Sequence, residues 1–376
     1  MSTLKHVLVT GAAGFIGKNI VLALSRSRGV DVIGVDVDSP VEVLDQALDI
    51  CEIVFHLAGV NRPEREIEFE EGNVGSLTPV LNGLERRGRR PLIVLSSSTQ
   101  APLDNPYSRS KKLAEDTLLE YVRRTGTLAR IFRLPGVFGK WCRPNYNSVV
   151  ATFCHNIAHD LPIQISDPAR EIEIVHVDDV VAAFLTLMNE ETGVQGAAFK
   201  LVEPVYRISL GALADKLRQF RASRETLVQP SLADPFDRRL FGTYCSYLPE
   251  DEFDYELTQR KDARGVLAEL IKLDGHGQIF VSRTHPGITR GNHYHDLKVE
   301  KFVVLDGEAV IRFRHMATGE MVEYPVAGRE MRAVDIPPGW THSIENVGES
   351  DMIVLFWASE VFDPAQPDTY AAEVKK

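Results

Sequence analysis

Val7-Leu8-Val9-Thr10-Gly11-Ala12-Ala13-Gly14-Phe15-Ile16-Gly17 decides how the first half of this chain folds. An apolar run that ends in Gly-x-x-Gly-x-x-Gly and opens into an amphipathic stretch reads as a strand, a tight turn and a helix. Gly11 permits the turn, Gly14 lets backbone approach a pyrophosphate, and Gly17 lets the helix pack against the sheet, so that the helix N-terminus faces an anion. Phe15 and Ile16, between the second and third glycines, belong to the same candidate cofactor surface.

Outward from this turn, apolar runs at His6–Thr10, Val32–Val35, Ile53–Ala58, Leu92–Ser96 and Ala129–Leu134 alternate with amphipathic stretches. Strands spaced by helices of this size predict a Rossmann-type parallel sheet covered on both faces. From about Gly277 the texture becomes short alternating runs with Gly, Asp and Pro turns: Gln278–Thr284, Lys301–Leu305, Ala309–His315, Arg332–Ile336 and Met352–Trp357. This predicts an all-β barrel or sandwich. In between, Ser209–Phe220 reads as a helix with Ser209 as N-cap, and 222–263 lacks clear periodicity, which places a domain boundary near residue 245.

A length of 376 residues exceeds what one core usually organises and fits two domains. The net charge of -11 argues against nucleic acid as a partner. No apolar run is long enough for a signal peptide or membrane span, and Cys51, Cys142, Cys154 and Cys245 form no regular framework; both point to a reducing, cytoplasmic setting.

Two groups of residues carry chemistry. In the first half, Asp36 ends the second strand nineteen residues after Gly17, where an acid can hydrogen-bond the ribose hydroxyls of NAD and repel a 2′-phosphate; Asp31 and Asp38 stand close by as alternatives. Tyr107-x-x-x-Lys111 opens a helix, one turn apart on one side, and the lysine charge favours phenolate, so Tyr107 can exchange a proton while hydride moves. Ser98, nine residues earlier at a strand end, can polarise the same oxygen. In the second half, His293-x-His295-x4-Glu300 and His342 supply three imidazoles and a carboxylate; these donors suit Zn, Fe, Mn or Ni without choosing among them.

Thr10–Gly17, His56-Leu57-Ala58-Gly59, Asn73, Ser96-Ser97-Ser98, Tyr107/Lys111, Arg133–Gly139 and Val177-Asp178-Asp179-Val180 together resemble the extended short-chain dehydrogenase/reductases that act on nucleotide sugars. The resemblance implies that Ser98, Tyr107 and Lys111 are catalytic, with Lys111 on the nicotinamide ribose. Leu57, Ala58 and Gly59 would line the cofactor channel beside Asn73, Asn145 and Asn147 would hold the sugar nucleotide, and Arg170 would contact its diphosphate. Gly287-x5-His293-x-His295-x4-Glu300-x6-Gly307 and Pro337-x-Gly339-x2-His342-x3-Asn346 resemble the two motifs of metal cupins, which implies a cupin barrel, although Gly328 stands farther upstream than usual.

The pairing of the two, with segments such as Gly59–Glu64, Phe138–Cys142, Pro286–His293 and Phe362-Asp363-Pro364, is similar to bifunctional capsule and O-antigen enzymes that join a nucleotide-sugar reductase (here 1–245) to a metal cupin (246–376). Such a likeness implies C3 epimerisation of a UDP-2-acetamido-2,6-dideoxy-4-hexulose at a divalent metal, zinc foremost. NADPH-dependent C4 reduction by a homodimer would follow, to UDP-2-acetamido-2,6-dideoxy-L-talose, on the route to UDP-N-acetyl-L-fucosamine. Asp36 argues instead for NADH. The alternatives are a catalytic reductase with a binding or dimerising cupin, and a redox-sensing Rossmann protein without catalysis.

Overall fold

The computed structural model describes residues 4–190, 196–257, 259–262, 265–268, 277–360 and 365–375. In chain order the first elements are β1 (Lys5–Thr10), α1 (Phe15–Ser25), β2 (Val30–Val35), α2 (Val41–Ile50), β3 (Ile53–His56), α3 (Ile67–Asn73), α4 (Leu77–Arg86), β4 (Leu92–Ser98), α5 (Pro106–Thr125) and β5 (Leu128–Leu134). They are followed by β6 (Gly136–Phe138), α6 (Val149–Ala158), β7 (Glu171–His176), α7 (Val177–Thr186), β8 (Gly196–Lys200), β9 (Tyr206–Ser209), α8 (Leu210–Thr226), α9 (Pro235–Cys245), β10 (Asp254–Glu256), β11 (Gln259–Asp262) and β12 (Gly265–Ala268). The last nine are β13 (Gln278–Thr284), β14 (Thr289–Tyr294), β15 (Glu300–Asp306), β16 (Glu308–His315), β17 (Met321–Ala327), β18 (Arg332–Ile336), β19 (Trp340–Asn346), β20 (Met352–Ala358) and β21 (Tyr370–Ala371).

The chain divides into two compact units, 1–148 with 172–207 and 149–171 with 208–376. The boundary expected near residue 245 falls inside the second, at the end of α9.

In the first unit the main sheet has the order β2-β1-β3-β4-β5-β8 with every pairing parallel. This is the expected Rossmann-type sheet, and its strands alternate between two cores. Leu8 packs with Leu48, Leu81, Leu84 and Leu118 on one face, whereas Val7 and Val9 pack with Ile20, Leu24, Phe55 and Phe184 on the other. Strands buried on both faces read as continuous apolar runs, which is why these five were visible in the sequence. The strand order reverses between β1 and β3, and ligands of open α/β sheets bind outside the strand ends at such a point. Those ends are Thr10 and His56, each followed by one of the motif segments.

The second unit holds α6, α8, α9 and two antiparallel five-stranded sheets, β10-β18-β15-β20-β13 and β17-β16-β19-β14-β21, with a β11-β12 hairpin. The expected helix forms as α8, capped by Ser209 Oγ accepting from Ala212 N at 3.2 Å. Among the strands that no apolar run marks in the sequence are β14, β17 and β19. Pro325 interrupts β17, which tolerates it as an edge strand. β14 is polar and its register shifts between Gly291 and His293. β19 is almost wholly buried despite its Thr341, His342 and Ser343, so polar residues face inward where apolar alternation was sought. The four cysteines are free thiols.

Candidate active site and metal centre

Gly11 turns the chain after β1 at φ +68°, and a Cβ there would stand 2.7 Å from Ala58 N. Gly14 is the N-cap of α1, with no side-chain cap and no acid in the first turn, so that the helix N-terminus keeps its donors for an anion. A Cβ on Gly17 would lie 2.0 Å from Gly11 O, which locks α1 under the turn. Phe15 and Ile16 form that first turn, and Ile16 packs against the core shared with Leu57. Asp36 reaches across to the same turn: Ala13 N donates to its Oδ2 at 2.8 Å and Val37 N to its Oδ1 at 2.9 Å.

Beside this turn, Leu57 N donates to Thr10 O at 3.1 Å and brings Ala58 and Gly59 alongside. A Cβ on Gly59 would meet Asn73 Oδ1 at 2.5 Å and Lys111 Nζ at 3.2 Å, so this glycine sits where the cofactor segment meets the lysine. Asn73 is 2% exposed and is used up internally: its Nδ2 donates to Val60 O and Ser110 Oγ, and its Oδ1 accepts from Val60 N. It positions the channel wall and has little left for a ligand.

The N-cap Asn105, whose side chain accepts from Ser108 N, and Pro106 at the first position start α5, which carries Tyr107 and Lys111. Ser98 ends β4 and Tyr107 opens α5. Burial pushes the Tyr107 phenol up and the Ser98 hydroxyl pulls it partly back, so the side chain stays a proton donor. The phenolate expected from the lysine charge is therefore not favoured by this geometry. Lys111 is itself buried, with Nζ 3.4 Å from Ser96 O, and burial draws its ammonium down to about 8 against the opposing charge of Glu115. Glu115, one further turn along α5, was not singled out in the sequence. It is fully buried, accepts from Ser97 Oγ at 2.6 Å, and takes a two-point bond from Arg133 at 2.9 and 2.6 Å. Its spacing of four from Lys111 was the available signal.

Asn145 and Asn147 are exposed on the loop after β6, where Asn145 takes φ +53°. Arg62 Nη1 donates to Tyr146 O at 2.5 Å and Tyr146 OH to Arg62 O at 3.5 Å, so this loop is clasped to the segment after Gly59. Arg170 is exposed before β7 and belongs to the second compact unit.

In that unit, His293, His295, Glu300 and His342 converge, each offering one donor atom, all within 4.8 Å of one another. The ring of His342 lies 4.6 Å from that of His293 and 5.2 Å from that of His295. Glu300 Oε2 is 3.2 Å from His295 Nε2 and 3.4 Å from His342 Nε2. His295 Nε2 and both ring nitrogens of His342 are buried without a hydrogen-bond partner among the described residues, which is a costly state for dry polar atoms and a fitting one for metal ligands. Burial lowers His342, and lowers His293 to about 4, so both are neutral lone-pair donors at pH 7. Burial alone would raise Glu300, but the two imidazoles outweigh it and hold the carboxylate ionised.

Residues 7–201 match the NAD dependent epimerase/dehydratase family. The chain belongs to that family. Residues 260–370 match the polysaccharide biosynthesis C-terminal domain. The UDP-2-acetamido-2,6-beta-L-arabino-hexul-4-ose reductase of Pseudomonas aeruginosa is 45% identical over 98% of both chains. The crystal structure of the capsular polysaccharide assembling protein CapF from Staphylococcus aureus superposes with a TM-score of 0.65 at 43% identity, over 98% of this chain and 100% of that one. The spore coat polysaccharide biosynthesis protein SpsL of Bacillus subtilis is 26% identical and spans only 30% of this chain, with 82% of its own length covered. The expected likeness to two-part capsule enzymes thus extends over nearly the whole chain. As in other NAD dependent epimerase/dehydratase family members, a nicotinamide dinucleotide is the cofactor to accommodate. The cradle at Gly11, which a Cβ would fill, and the uncapped N-terminus of α1 both fit it.

Proposed function

We propose that this chain is a bifunctional nucleotide-sugar enzyme of polysaccharide synthesis. Its substrate is a UDP-linked 2-acetamido-2,6-dideoxy-4-hexulose. A C-terminal cupin barrel epimerises C3; the N-terminal reductase domain then reduces the C4 ketone to UDP-2-acetamido-2,6-dideoxy-L-talose, toward UDP-N-acetyl-L-fucosamine. The active species is a homodimer. The observation that carries this reading is Tyr107 one turn from the buried Lys111 on α5, in a chain that also gathers three imidazoles and a carboxylate.

A nicotinamide, when bound, would supply hydride to C4. Tyr107, held as a phenol, gives its proton to the ketone oxygen; Ser98 orients that oxygen, and Lys111 stabilises the phenolate left behind. Asn145 and Asn147 would hold the sugar nucleotide and Arg170 its diphosphate. NADH is the preferred cofactor on the physical argument. The Asp36 carboxylate stands at the ribose end of the turn, and no Lys or Arg occurs between Gly29 and Arg62 to receive a 2′-phosphate. At the other site His293, His295, Glu300 and His342 would hold a divalent cation, zinc foremost, which would acidify the carbon next to the ketone.

Mass spectrometry of the UDP-4-keto sugar incubated in deuterated water tests both steps. Mass gain at C3 without cofactor and a reduced product on adding NADH are expected. A purified protein that does neither overturns the proposal, and exchange that survives His293→Ala would leave the C-terminal site a binding or dimerising one.

A further inference from the structure

His295 is 1% exposed, and its Nδ1 stands 2.5 Å from the backbone carbonyl of Asp368, seventy-three residues away in the chain. A carbonyl only accepts, so Nδ1 carries the ring proton and Nε2 presents its lone pair toward Glu300. The Asp368 carboxylate accepts three further bonds, from the backbone N–H groups of Asp296 and Leu297, each at 2.9 Å, and of Lys298 at 2.6 Å. These are the residues that carry the chain from His295 to Glu300.

The segment beyond Asp368 reaches the other ligands. Thr369 Oγ1 accepts from Lys298 Nζ, β21 pairs with β14 with Ala371 opposite His293, and Ala372 N donates to Asn292 O at 2.8 Å. Thr341, beside His342, donates from Oγ1 to Ala372 O at 2.7 Å. One C-terminal segment is thereby bonded to the backbone next to His293 and His295, to the side chain of Thr341 next to His342, and to the turn leading to Glu300.

We propose that residues 368–374 are a strap that assembles the four-ligand site, with Asp368 as its positioning residue. Asp368 makes no contact with the ligand-binding face of the cluster; it acts by setting the ring tautomer of His295 and the path of the 296–298 turn. The proposal rests on the reading of His293, His295, Glu300 and His342 as a metal site. Loss of such outer partners typically costs 10- to 100-fold in metal affinity.

The test uses full-length protein freed of metal, with Zn²⁺ affinity measured by chelator competition and the histidine tautomers read from long-range ¹H–¹⁵N spectra. Asp368→Ala, which keeps the backbone carbonyl but removes the carboxylate that anchors the 296–298 turn, should weaken Zn²⁺ binding by about 10- to 100-fold. Asp368→Asn, which keeps one carbonyl oxygen, should fall between and covers the case in which the alanine variant does not fold. Wild-type Zn²⁺ affinity in both variants, or an Nε2–H tautomer of His295 in the metal-free wild type, overturns the proposal. A wild-type protein that binds no Zn²⁺ would instead overturn the metal reading, and the tautomer of His295 would still decide on the strap.

Discussion

Lys111 is the residue whose environment says most about pH. Burial disfavours its charged form and brings it to about 8, and the Glu115 carboxylate resists that fall. The groups facing it are Tyr107 and Glu115 on its own helix, Arg133 of β5 paired with Glu115, and His56 of β3, which burial holds neutral with a pKa near 3. Keto reduction should therefore fall as pH rises through about 8, where Lys111 loses the charge that stabilises the Tyr107 phenolate. Glu115→Gln removes the opposing charge, so the basic limb of the kcat/KM profile should move to lower pH by about one unit; a limb that stays in place would show that Glu115 only ties β4 to α5. The sign for stability is the reverse of the sign for activity. Because the folded pKa lies below the unfolded 10.5, the unfolded chain binds more protons between about 8 and 10.5, and this group opposes folding most at neutral pH. Lys111→Met should accordingly raise Tm below pH 8, with the gain shrinking as pH climbs toward 10.5, while abolishing reduction.

At the scale of elements, α5 is the lever that places Tyr107 and Lys111, the proposed catalytic side chains, and both its ends are fixed by local chemistry. Asn105 accepts from Ser108 N at 2.9 Å at the start, and Gly126 takes φ +72° at the end. Asn105→Ala should cost about 1 kcal/mol in urea unfolding, the usual worth of an N-cap, and lower activity further by loosening Tyr107. An unchanged midpoint would mean that Pro106 alone suffices to start the helix. The parallel sheet and the Tyr107/Lys111 pair were legible beforehand because both are local: apolar runs mark doubly covered strands, and a four-residue spacing marks one helix face. The helix α9 was missed although Asp234 and Pro235 announce its first turn and Phe236, Leu240 and Tyr244 repeat every four residues, since the buried run Leu240–Cys245 blurs that stripe. β19 was missed because its buried polar residues serve the site. Asp368 could not be found at all, for a bond across seventy-three residues has no spacing to read.

For the whole molecule, the decisive property is that the Tyr107/Lys111 pair and the four-residue His/Glu cluster lie in separate compact units. Substitutions without shared partners act independently, so each site should be removable alone. His342→Ala takes away a fully buried ligand and should abolish deuterium exchange at C3. The same variant should leave NADH affinity, read by fluorescence quenching, at the wild-type value. Tyr107→Phe removes the proton donor and should lower keto reduction by about 10²- to 10⁴-fold, the usual contribution of a general acid, while deuterium exchange and NADH affinity persist. Measured on one batch of UDP-4-keto sugar, the pair of variants forms a crossed test. If Tyr107→Phe keeps exchange and loses reduction, while His342→Ala, which leaves the reductase no C3 epimer, loses both but keeps NADH affinity, the chain runs two consecutive steps on one ketone; if Tyr107→Phe also loses exchange, the assignment of one step to each site fails.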